Sequence, residues 1–168
     1  MIKLSTMSHL KVLLVDRDSY MRDELVTSFI REGASIIAVE TAGEAIRCLN
    51  EECFDIIISD FASAQRESLK LVKLADQQYP DSIKIAIATS GGIAECPNLE
   101  QCRIDDVICK PFPFVSLLYT ISQRLQTNGG NGCRKAQPSA QNESDSFASS
   151  SESTPEVTDL LAEWSVAD

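Results

Sequence analysis

Phe54-Asp55-Ile56-Ile57-Ile58-Ser59-Asp60 is the stretch that decides the fold of this chain. Three successive isoleucines followed by a serine and a carboxylate read as a strand buried on both faces. A strand with one wet face would alternate apolar and polar residues; an unbroken β-branched run fits a parallel sheet covered by helices. In open α/β sheets the chemistry sits outside the carboxyl ends of the strands, so Asp60 stands where a reactive group would be.

Working outward, Lys11 to Asp16 is a second such run that also ends in a carboxylate. After it, Met21, Leu25 and Phe29 recur every four residues on a helix that Asp18 or Ser19 can cap and Gly33 can stop. Ser35 to Val39 is a short strand, and Ala42, Ala45, Ile46 and Leu49 form the stripe of a second helix. Beyond Asp60, the pattern predicts a helix with Leu71, Leu74 and Ala75 inward, closed by Pro80. Ile83 to Thr89 is a fourth strand and Asp106 to Cys109 a short fifth. Gly91, Gly92 and Pro97 interrupt residues 91–104, so any helix there is short. A final helix carries Phe114, Leu117, Leu118, Ile121 and Leu125 on one face. Strands alternating with helices imply a parallel sheet with right-handed crossovers and helices on both faces. The expected architecture is a flavodoxin-like (βα)5 fold of strand order 2-1-3-4-5, which places the first and third strands side by side at the centre.

That order gathers Asp16, Asp60, Thr89 and Lys110 at one edge of the sheet. A carboxylate that accepts a phosphoryl group needs a cation to neutralise the incoming oxygens, and a hydroxyl and an ammonium to hold the group once transferred. Asp60 suits the nucleophile, Asp16 the metal, Thr89 the hydroxyl and Lys110 the ammonium. With these residues in place, the chain resembles the response-regulator receiver family over residues 10–126. The match is carried by Val15-Asp16, Met21-Arg22, Ser59-Asp60, Ala88-Thr89 and Lys110-Pro111-Phe112. The resemblance implies phosphotransfer to Asp60 from a sensor histidine kinase or phosphotransfer protein, Mg²⁺ held by Asp16 and Asp60, and a cis Lys110–Pro111 bond. It further implies output by protein contact through the last strand–helix face.

The departures concern charging and readout. Where the family carries two adjacent acids after the first strand, the second of them a direct metal ligand, this chain has Arg17, with an acid at the next position, Asp18. A guanidinium there repels Mg²⁺ and can pair with Asp60, unless Asp18 supplies the missing ligand. Ser63-Ala64 stands for the usual Met-Pro, Ser68 for a glycine, and Val107 for the aromatic switch residue. A pseudo-receiver that works without phosphate is therefore the second reading.

The remaining features bound the setting. The chain has 168 residues and a net charge of −10, which disfavours nucleic acid and anionic membranes as partners. Residues 1–126 carry 13 basic and 18 acidic side chains and residues 127–168 carry 2 and 7, so each part contributes −5 and the tail is denser in acid. Six cysteines without a CxxC pair, and a single histidine, His9, argue against structural zinc. Residues 1–9 read as an N-terminal extension with no signal-peptide pattern, and the setting expected is cytoplasmic. Residues 127–168 are Ser-rich and acidic, expected to be disordered and too short for a DNA-binding or enzymatic output domain. Within them, Thr154-Pro155-Glu156 starts a short amphipathic helix over 155–164, a candidate docking segment for a downstream protein.

Overall fold

The computed structural model describes residues 7–61, 65–89 and 102–127. In chain order the elements are β1 (Lys11–Val15), α1 (Ser19–Arg31), β2 (Ser35–Val39), α2 (Ala42–Glu51), β3 (Ile56–Asp60), α3 (Gln65–Gln78), β4 (Ile83–Thr89), β5 (Asp106–Lys110) and α4 (Phe114–Thr127). The five strands form one parallel sheet of order β2-β1-β3-β4-β5, the flavodoxin-like order expected. The stretch expected to hold a short helix between β4 and β5 and the tail helix over 155–164 lie outside the described residues, as do Ser63 and Ala64.

The sheet's two faces sort the core by strand parity, since successive side chains point to opposite sides. Val12, Leu14, Ile56, Ile58, Ile85, Ile87 and Ile108 pack with Leu25 and Phe29 of α1 and with Leu117 and Ile121 of α4. Leu13, Val15 and Ile57 pack with Ala45 and Leu49 of α2 and Leu71 and Ala75 of α3. Each fully buried side chain of this size contributes about 1.5–3 kcal/mol relative to exposure. The isoleucines of β3 feed both faces, which is why their run does not alternate. Phe29 meets Phe114 edge to face, with ring centroids 5.0 Å apart, joining the two helices on one side.

Local signals in the sequence account for the element ends. Asp18 caps α1, its Oδ1 accepting the backbone N–H groups of Tyr20 and Met21 at 3.0 and 3.2 Å. Thr41 and Glu44 close a reciprocal capping box on α2. Gly33, following the Glu32 cap of α1, takes a φ of 82°, a backbone region that side-chain-bearing residues seldom adopt.

Two expectations need correction. The inward stripe of α3 is Ser68, Leu71, Val72, Ala75 and, just past the helix, Tyr79, with Leu74 only half-buried. The helix is rolled toward the β4 side, where Val72 joins Phe61, Ala86 and Cys102. At the N-terminus, Met7 is buried in the α1/α4 core, so the packed unit starts before residue 10.

Replacing Asp18 by Ala is expected to cost about 1 kcal/mol of stability, with Asn or Ser retaining most of it. Urea denaturation checks this, and an Ala variant as stable as the wild type would contradict the capping role.

Candidate functional site

The strand ends bring three of the expected residues into direct contact. Asp16 lies one residue past β1, and its N–H still donates to the Val39 carbonyl at 3.2 Å. Asp60 closes β3 and Lys110 closes β5. All three share the parity of Leu14, Ile58 and Ile108, so they start from the same face of the sheet. Lys110 Nζ donates to Asp16 Oδ2 at 2.8 Å and lies 3.5 Å from Asp60 Oδ2. Thr89, the last residue of β4, is exposed and pairs in register with Lys110. The Lys110–Pro111 bond is cis.

Burial sets the electrostatics of this cluster. The Asp16 side chain has no exposed surface and that of Asp60 is 6% exposed. Burial alone would lower the pKa of Lys110. The hydrogen bond to Asp16 and the charges of Asp16 and Asp60 outweigh it and hold the ammonium above its usual value. A lysine raised in this way contributes its full stability below the ordinary lysine pKa and loses it as pH rises through the raised one. The bridge is therefore intact throughout the neutral range.

Neighbours fix the two carboxylates in place. The Asp18 N–H donates to Asp16 Oδ1 at 2.8 Å, and the Arg22 guanidinium donates to the Asp16 carbonyl at 2.6 Å. Beneath Asp60, the Ser59 hydroxyl donates to Ser68 Oγ at 3.1 Å, and Ser68 donates to the Asp60 carbonyl at 2.9 Å. Ser68 is buried. In the sequence it is only a departure from the family's glycine, yet here it satisfies the backbone under the central carboxylate. The signal that marks it is its place on the stripe Ser68, Leu71, Val72, Ala75. Arg22 reaches back six residues to a carbonyl, which no spacing rule reveals.

Arg17 is exposed and lines a small cleft of about 50 Å³ together with Asp16, Asp60, Thr41, Glu40 and Glu67. The donor set does not fit a preformed Mg²⁺ centre. Among the described residues no trio of His, Cys, Asp and Glu is grouped to hold a metal ion. Asp16 already accepts on both oxygens, and Asp18 is committed to capping α1. The position that would complete the set carries a guanidinium. Val107, at the switch position of β5, is half-buried against the cluster of Phe61, Val72 and Cys102.

A parallel sheet of this order with paired carboxylates, a lysine and a threonine at its carboxyl edge defines a receiver-type domain. The response regulator receiver domain family matches residues 12–122, and the chain belongs to that family. It is 30% identical over 114 residues to the DNA-binding transcriptional regulator NtrC of Proteus hauseri, covering 68% of this chain but 24% of that protein. The chain thus spans about a quarter of that relative. The response regulator receiver protein CpdR of Brucella abortus is 25% identical, covering 68% of this chain and 96% of CpdR. Among solved structures, the chemotaxis response regulator CheY4 of Vibrio cholerae shares the fold with a TM-score of 0.63 at 23% identity, covering 69% of this chain and 98% of that one.

Lys110→Met leaves two buried carboxylates without their cation and is expected to destabilise the protein by about 3 kcal/mol at neutral pH. The deficit should hold steady up to pH 9 and shrink only above the ordinary lysine value of 10.5, where the wild type also loses its charge. Denaturant midpoints measured across that range check both points. A wild-type-like stability at pH 7 would contradict the bridge.

Proposed function

We propose that this chain is a receiver of a two-component phosphorelay in the cytoplasm, accepting a phosphoryl group on Asp60 from a sensor histidine kinase or phosphotransfer protein. The observation that carries this reading is the Lys110 ammonium lying between Asp16 and Asp60 at the carboxyl edge of the sheet, 2.8 and 3.5 Å from the two carboxylates. Asp60 is the nucleophile, Lys110 steadies the transferred oxygens, and Thr89, beside it in register, contributes a hydroxyl. Transfer to its own aspartate is the only chemistry in this reading; the protein acts on no external substrate. Receiver-family membership supports the choice of donor.

Output in this reading is a protein contact. On α4, Val115 and Tyr119 are 60% and 58% exposed, whereas Phe112 packs onto the α1/α4 core. The exposed pair supports the β5–α4 face as the surface offered to a downstream protein, with the segment 155–164 as a second candidate. Among the described residues no helix is long and apolar enough to cross a membrane. The acidic charge disfavours nucleic acid.

A second reading, a pseudo-receiver that acts as a phosphorylation-independent interaction module, is favoured by one observation: the guanidinium of Arg17 at the position of the second acid. Intact mass after incubation with a small phosphodonor or a histidine kinase separates the two. A single phosphoryl adduct that disappears in Asp60→Asn is expected. An unmodified wild type under every donor would leave the interaction module standing.

A further inference from the structure

The misfit between the donor set and Mg²⁺ has a consequence in charge. Asp16 and Asp60 are buried and Lys110 bridges them, so these three side chains together carry one net negative charge. Arg17, on the wall of the same cleft, brings that set to neutrality. A divalent cation added to it would leave two positive charges uncompensated, beside a guanidinium that repels the ion. With an acid at position 17 the same set would carry two net negative charges, the amount a divalent cation neutralises.

Resting on the reading of Asp60 as phosphoacceptor, we infer that Arg17 takes the place of the divalent cation, so that phosphoryl transfer to Asp60 proceeds without a metal ion. A guanidinium is charged at every accessible pH, is more weakly hydrated than an ammonium, and binds two phosphoryl oxygens at once through its planar fork. Arg17 and Lys110 then flank the transferring group from two sides. In the step itself, the P–N bond of a phosphoramidate-class donor breaks as the Asp60 Oδ–P bond forms. The electron pair leaves with the nitrogen, which takes up a proton from water, and the three phosphoryl oxygens keep their charge against the two fixed cations. Glu40 and Glu67 also line the cleft, but both are exposed, where water and salt screen them.

The test uses the full chain and phosphoramidate, with adduct formation followed by intact mass in excess EDTA and in excess Mg²⁺. Wild type is expected to label at the same rate in both. Arg17→Ala is expected to label about 10²–10³-fold more slowly in both, the usual loss for one electrostatic contact to a transition state. Arg17→Lys should recover part of that loss, since it keeps the charge but not the fork. Arg17→Asp should label only when Mg²⁺ is present. Because Arg17 is exposed, these variants keep the fold, which circular dichroism checks. Wild-type labelling that stops in EDTA and returns with Mg²⁺ would overturn the inference while leaving Asp60 the acceptor. Absence of labelling from phosphoramidate and from a histidine kinase, with and without Mg²⁺, would overturn both.

Discussion

The contact on which this site depends is the ammonium of Lys110 held between two buried carboxylates. Asp16 and Asp60 come from adjacent central strands and leave the sheet at the same edge, so their charges cannot avoid each other. Two carboxylates removed from water side by side destabilise the fold unless a cation opposes them. Lys110 comes from the opposite edge strand, three strands from β1, so the cluster also ties β5 to the centre across the top of the sheet. The site and the order of the sheet are one arrangement.

Around that contact the protein spends its small polar residues on backbone positions. Ser68 satisfies the Asp60 carbonyl and is itself held by the Ser59 hydroxyl, Asp18 and Arg22 hold the turn that carries Asp16, and neither pair needs a ligand to do so. The carboxylates are therefore positioned by the fold alone, the preorganisation that electrostatic catalysis requires. Among the described residues of this edge, Arg17 reverses the sign of a family position, and it does so on the exposed wall of the cleft.

Much of this was legible in the sequence because buried parallel strands are written as unbroken β-branched runs. The runs ending in Asp16 and Asp60, with Thr89 and Lys110 closing the last two strands, placed the edge residues before any geometry was available. The cap on α1 was legible for the same local reason: Asp18 acts within three residues. The roll of α3 was not, because Leu71 and Ala75 fit a stripe with Leu74 as well as one with Ser68 and Val72. Only the position of β4 and Cys102 decides between them. Ser68 under Asp60 and Arg22 on the Asp16 carbonyl are tertiary contacts and leave no periodic trace. Met7 looked like part of an extension because a lone apolar residue has no period, yet it is buried in the same core cluster as Phe29.

Loading the site with a phosphoryl analogue probes Arg17 and Asp60 together. Beryllofluoride adds to an aspartate as an analogue of its acyl phosphate, and ¹⁹F NMR detects the bound species. In magnesium-free buffer, the chain is expected to show a bound ¹⁹F resonance that is absent from Asp60→Asn and lost or weakened in Arg17→Ala. A resonance that appears only after Mg²⁺ is added, or persists in Asp60→Asn, would contradict the account.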